Sequence, residues 1–224
     1  MQLIMQNNKT TVERLIEALS RNNMQGIYVE KTADIVKTVE AMLFEGCVIT
    51  AGGSVSVKES GVWDLISKPC YEFFDRTRAG ISEEERLEAF RQAIGCDFFF
   101  CSANAITEQG ELVNVDGFGN RVASITFGPK KVIMIVGINK LVKNIDEAFL
   151  RIKSTAAPKN CVRLGIDSPC AKLGKCVSLA KSGTPDITDG CDFSRRICAS
   201  YLVSGRQQEK NRITVIICGE PLGY

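Results

Sequence analysis

Four runs of strand length are apolar almost throughout: "CVITA" at 47–51, "CDFFFCS" at 96–102, "KKVIMIVG" at 130–137 and "RITVIICG" at 212–219. Segments with apolar residues at helical spacing stand between them, so the chain reads as strands alternating with helices, an α/β fold with a largely parallel sheet. The helical segments are "VERLIEALSRN", "ADIVKTVEAMLFE", "VKESGVWDLISK", "EEERLEAFRQAI" and "NIDEAFLRIKST". Thr10 with Glu13, and Ser82 with Glu85, have the spacing of capping boxes; Thr32 can cap the second helix, Gly46 and Gly95 stop helices, and the last helix should end before Pro158. "GIYVE" and "YEFFD" add two shorter strands. Residues 104–128 carry short β-type runs broken by Gly and Asn, as in a hairpin, and residues 158–211 are loop-rich. Because the final strand should rejoin the main sheet, residues 1–224 are read as one domain with a cysteine-rich excursion at 158–211.

Hydrophobic residues make up 45% of the 224 positions and charged residues 24%, enough apolar material for a full core. A net charge of +2 implies no bulk attraction to nucleic acid or membrane. No run approaches the length needed to span a bilayer, and the first residues lack a signal-peptide pattern, so a reducing cytoplasm is the expected location. Histidine is absent. Acid–base chemistry must therefore fall to Asp, Glu, Lys, Tyr or Cys, and histidine metal ligands are excluded.

Two glycine-rich stretches are the candidate binding elements. "VITAGGSVSVKESG" at 48–61 ends a strand in Gly52, Gly53 and Ser54 ahead of a helix, where close backbone approach, unpartnered amides and the hydroxyls of Ser54 and Ser56 suit an anion. A tight turn with a serine cap is the competing reading. "TEQGELVNVDGFGNR" at 107–121 gathers Glu108, Glu111, Asn114, Asp116, Asn120 and Arg121 among three glycines, either aimed at one point or set in a solvated hairpin. Lys140 follows the strand "VIMIV" at its carboxyl end, a position for holding a carboxylate or phosphate, with an exposed end-of-strand lysine as the competing reading.

The blocks "GGSVSVKESG", "SANAITEQGELVNVDGFGNR", "GPKKVIMIVGINKLV" and "PCAKLGKC…C…RRIC" resemble, in that order, the LUD-domain (lactate-utilisation) family. The resemblance implies a ribose-5-phosphate isomerase/CoA-transferase-like fold, a parallel sheet flanked by helices, in which the early glycine-serine loop commonly contacts phosphate. Some family members serve a multi-protein system that oxidises L-lactate to pyruvate with iron–sulfur partners. "TEQG" at 107–110 is also similar to the Ser-Glu-Asn-Gly motif of CoA-transferases, which points at Glu108 as base or nucleophile, with Asp116 second.

Of the ten cysteines, Cys170, Cys176, Cys191 and Cys198 are spaced C-x5-C, a long gap, then C-x6-C. This is neither a zinc-ribbon nor a ferredoxin spacing. Small members of the resembled family usually hold the second and third cysteines only a few residues apart; here "VSLAKSGTPDITDG" intervenes. Four thiolates could close a structural zinc or iron–sulfur site; buried thiols and disulfides formed on handling are the alternatives.

Two functional readings follow. In the first, the protein is an enzyme, or a vestige of one, for a small anionic metabolite (a sugar phosphate, a hydroxy or keto acid, or a CoA ester). Gly52, Gly53, Ser54 and Ser56 would hold the anion, and Asn104, Asn120, Arg121 and Lys140 the rest of the molecule. A homo-oligomer would suit this reading. In the second, the chain is a non-catalytic accessory subunit that docks iron–sulfur oxidoreductase subunits of a lactate-oxidising system. With no flavin or nicotinamide fingerprint, it is not expected to oxidise lactate alone.

Overall fold

The computed structural model describes residues 2–181 and 185–224, with side chains from residue 10 onward. In chain order the elements are α1 (Gln2–Arg21), β1 (Gln25–Val29), α2 (Ala33–Glu40), β2 (Val48–Ala51), α3 (Val55–Glu59), α4 (Val62–Ile66), β3 (Glu72–Phe74), α5 (Glu83–Gly95) and β4 (Phe98–Cys101). They continue with β5 (Ala105–Thr107), β6 (Leu112–Asp116), α6 (Asn120–Thr126), β7 (Lys131–Gly137), β8 (Leu141–Val142), α7 (Ile145–Arg151), α8 (Ala157–Arg163), α9 (Pro169–Leu173), β9 (Ser200–Ser204) and β10 (Ile213–Cys218).

Six strands form a sheet in the order β1-β10-β7-β4-β2-β3, every adjacent pair parallel. The continuous apolar runs of its central strands follow from having both faces covered. Along β7, Val132, Met134 and Val136 point to one face, where they pack with Leu15 and Leu19 of α1. Ile133 and Ile135 point to the other, among Ile35 and Val39 of α2, Val57 of α3 and Leu65 of α4. At about 1.5–3 kcal/mol for each large side chain removed from water, these two layers dominate the driving force for folding.

A second sheet, in the order β8-β5-β6-β9, lies on the first of these faces. Ile106 and Leu112 join the α1 side of the core, while Ala105, Val113 and Val115 face Phe149 of α7. The hairpin β5–β6 is thus sandwiched between the main sheet and a helix, which explains its burial.

The Ser82–Glu85 capping box forms as expected, with both reciprocal hydrogen bonds. Elsewhere local signals gave way. Helix α1 begins at Gln2, so Thr10 lies inside it rather than at its start. Thr32 does not cap α2; its hydroxyl donates to Glu220 Oε2 at 2.7 Å. That helix also ends at Glu40, ahead of Gly46. The segment expected as one helix over 57–68 breaks into α3 and α4 at Gly61, whose φ of 75° is the left-handed conformation glycine takes without strain. Pro158 does not terminate α7, because a π-helical turn over Ile152–Ala156 carries the chain into α8, where the proline occupies the first turn and needs no N–H partner.

Candidate functional site

All six strands of the main sheet run the same way, so the segments that leave their carboxyl ends gather along one edge, where open α/β sheets bind ligands. β2 delivers Gly53, Ser54 and Ser56 there, β3 delivers Arg76, β4 delivers Ser102 and Asn104, β7 delivers Lys140, and β10 leads to Tyr224. Asp116, Asn120 and Arg121 come from the β6–α6 junction, and Asn160 and Arg163 from α8. Together they line a cleft of about 260 Å³, the size for a small metabolite.

Of the sequence-predicted residues, Gly53, Ser54, Ser56, Asn104, Asp116, Asn120, Arg121 and Lys140 are brought to this cleft. Gly52 sits just behind it: its N–H donates to Phe100 O, and a Cβ there would lie 3.3 Å from Arg121 Cδ. Glu108 is not brought there. It occupies the turn of the β5–β6 hairpin, which starts at the cleft with Asn104, runs away from it, and returns only at Asp116. Three to five residues of strand, at about 3.3 Å each, therefore separate Glu108 from the site. It lines a different pocket, with Arg14, Glu17 and Arg21 of α1. Glu111 and Asn114 share that displacement. Glu111 is bonded to Thr107, and the Asn114 amide is fully buried with no hydrogen-bond partner among the described residues.

Asp116 and Arg121 form a fixed strut. Asp116 accepts from the backbone N–H groups of Arg121 and Val122 and pairs with Arg121 Nε at 3.0 Å. The Arg121 guanidinium also donates to Ser102 O, Asn104 Oδ1 and Val115 O. Asn104 in turn accepts from Val115 N. Held by these three donors, Asp116 positions the wall of the cleft.

The Gly-Gly-Ser turn differs in detail from its sequence reading. Helix α3 has only five residues, and the Ser54 hydroxyl oxygen caps it by accepting from Val57 N at 3.3 Å. The positive charge at this turn comes instead from two arginines. A Cβ placed on Gly53 would lie 2.8 Å from Arg76 Nη2 and 3.6 Å from Arg163 Nη2, so both guanidinium groups converge over this glycine. Arg76 donates to Ala51 O and stacks on Phe90; Arg163 is held by Asn160 Oδ1 and the Tyr224 hydroxyl. Among the described residues neither has a carboxylate within ion-pair distance. Burial lowers the pKa of Arg76, with the more distant Asp116 opposing it. Arg76, Ser102 and Tyr224 escaped the sequence reading, although Arg76 and Ser102 each follow a strand-type run at its carboxyl end, as Lys140 does.

Lys140 lies on the floor of the cleft, 3% exposed. Its Nζ donates to Ser56 Oγ at 2.7 Å and to Ser102 Oγ at 3.0 Å. Burial drives its pKa down from 10.5 to about 7, and repulsion from Arg151 and Arg121 acts in the same direction.

The cysteines expected as metal ligands, Cys170, Cys176, Cys191 and Cys198, do line one small hollow, of about 20 Å³, with Lys153 and Asp189. Among the described residues, however, no three His, Cys, Asp or Glu side chains are arranged to hold a metal ion. The sulfurs have other neighbours: Cys170 meets Cys161 at 3.7 Å and Ser168 at 3.2 Å, Cys176 meets Ser178 at 3.3 Å, and Cys198 meets Arg196 Nε at 3.2 Å. All ten cysteines are free thiols.

Residues 12–218 match the family model of the LUD domain. The chain belongs to the LUD-domain family. Among solved structures, this LUD domain is similar to a DUF162 family protein from Deinococcus radiodurans, with a TM-score of 0.52 and 11% identity over 94% of this chain and 98% of that one. At that identity the likeness shows the fold. It is also similar to ribose 5-phosphate isomerase A from Methanocaldococcus jannaschii, with a TM-score of 0.36 and 17% identity over 80% of each chain. No curated protein matches the chain. Among the described residues no helix is long and apolar enough to cross a membrane.

Proposed function

We propose that this LUD domain binds a small metabolite through a phosphate or carboxylate group seated over Gly53, between Arg76 and Arg163. The observation that carries the reading is the charge balance of the cleft. Three guanidinium groups (Arg76, Arg121 and Arg163) and the amine of Lys140 line it against one carboxylate, Asp116, which is already paired with Arg121. The guanidinium groups of half-buried Arg76 and exposed Arg163 face one point without a carboxylate; desolvation and repulsion from its cationic neighbours bear on Arg76, and a bound anion relieves both. Arginine also suits this role because its planar fork meets a carboxylate or phosphate with two parallel hydrogen bonds. The remainder of the ligand would lie toward Asn120, Asn104 and Lys140. The volume fits a hydroxy or oxo acid or a short sugar phosphate, and of a CoA ester only one end. The family's tie to lactate utilisation favours the acids.

A thermal-shift screen at low ionic strength tests this, because a ligand that binds only the native state raises its melting temperature. Hydroxy acids, oxo acids and sugar phosphates are expected to stabilise the protein, and neutral analogues of the same size are not. Equal shifts from charged and neutral members of a pair would remove the anion site.

A further inference from the structure

We infer that Lys140 is a nucleophilic amine, and that the ligand of this cleft is a carbonyl compound with an anionic group: its carbonyl carbon condenses with Lys140 Nζ to form an imine. The inference rests on the anion-binding reading above, since the anion seated on Arg76 and Arg163 is what would hold the carbonyl in place.

The hydrogen bonds around Nζ define its chemistry. Ser102 Oγ donates its own proton to Ile135 O at 2.6 Å, and Ser56 Oγ donates to Leu222 O at 3.2 Å. Both serine oxygens are thus oriented as acceptors toward Lys140, at 3.0 and 2.7 Å. A neutral amine has two N–H donors, and these two acceptors use both, leaving the nitrogen lone pair uncommitted. The ammonium form would carry a third N–H, buried with no carboxylate within ion-pair distance among the described residues, and repulsion from Arg151 and Arg121 outweighs the attraction of the more distant Glu59. The site therefore favours the neutral amine, the form that attacks a carbonyl. Lys153, the other fully buried lysine of the described residues, lies outside the cleft and donates to Asp189 O and Ser178 Oγ.

The step balances without an oxidant or reductant. The Nζ lone pair forms a bond to the carbonyl carbon as the C=O π pair moves to oxygen. That oxygen takes one proton from nitrogen, giving a carbinolamine. With a second proton from solvent the oxygen leaves as water, and the C=N bond of a protonated imine remains. Hydrolysis reverses each move and returns the free amine.

Reductive trapping tests the inference. The intact protein is incubated at pH 7 with sodium cyanoborohydride and either pyruvate (a 2-oxo acid) or dihydroxyacetone phosphate (a carbonyl phosphate). Labelled peptides are then mapped by mass spectrometry. Label concentrated at Lys140, at least ten-fold above any other lysine and suppressed by excess inorganic phosphate, is expected from at least one of the two, and which one labels tells the oxo-acid source from the phosphate source. Label from both reagents spread over exposed lysines, with Lys140 unmarked or no more marked than they are, would overturn the inference. The anion reading has its own readout: if phosphate still raises the melting temperature while Lys140 stays unlabelled, only the imine fails. Lys140→Arg, checked for a native far-UV circular dichroism spectrum, is expected to lose the label while remaining folded.

Discussion

Replacing Lys140 by methionine should change how stability depends on pH, with a sign and size set by the structure. The amine is 3% exposed, and its pKa falls from 10.5 to about 7 in the folded state. Below pH 7 both folded and unfolded chains hold the proton, and burying the ammonium costs on the order of 5 kcal/mol at about 1.36 kcal/mol per pKa unit. Between pH 7 and 10.5 the unfolded chain binds one proton more than the native chain, so stability rises with pH; the contribution is complete above the unfolded value and lost as pH falls through the folded one. Taken over the interval from pH 7 to pH 9, the gain is about 2 kcal/mol. Lys140→Met removes this titration and keeps most of the volume. Urea unfolding of both proteins at pH 6, 7, 8 and 9 gives the difference directly, and the titration of the cysteines cancels between them. The wild-type protein is expected to gain about 2 kcal/mol on the variant between pH 7 and 9. Parallel pH profiles would show that the lysine is not depressed, and with that the basis for a neutral amine in the cleft would go.

Further outcomes follow from the same geometry. Gly53→Asp places a carboxylate between Arg76 and Arg163; it should raise the melting temperature and abolish phosphate binding, as followed by differential scanning fluorimetry. Arg121→Ala leaves half-buried Asp116 without its ionic partner and should cost about 1–3 kcal/mol in urea unfolding. Glu108→Gln, on the far end of the hairpin, should leave phosphate affinity in a calorimetric titration within two-fold of wild type, roughly 0.4 kcal/mol.

The fold was legible because its evidence is local and redundant. Four strand-length apolar runs each needed cover on both faces, and the helical segments between them supplied it. The Ser82–Glu85 box could be read from two residues because the other partner of Glu85, Arg78, takes only Oε1 and leaves Oε2 to the Ser82 N–H. Thr32 could not, since Glu220, far along the chain, takes its hydroxyl. Thr10 fits a start signal, yet the helix forms on both sides of it. At the site, Lys140 is found by the rule that residues just past a parallel strand's carboxyl end share an edge, and Gly53 and Asn104 lie along that same edge. Applied to "YEFFD" and "CDFFFCS", the same rule finds Arg76 and Ser102. Glu108 illustrates the opposite case: a motif-like tetrapeptide in an antiparallel hairpin lies at whichever end the turn falls, and here the turn points away from the cleft. Arg163 is brought to the cleft by helix α8, which sets its side chain against Tyr224 and over Gly53.

Calorimetric titration of inorganic phosphate into the wild-type protein and into an Arg76→Ala/Arg163→Ala variant at low salt most directly tests whether the guanidinium pair over Gly53 is an anion seat. Each charge-assisted hydrogen bond lost should cost about 1.5–3 kcal/mol, so affinity is expected to fall by at least about 100-fold in the variant, with the fold retained by circular dichroism. Equal affinity in the two proteins, or no binding to either, would contradict it.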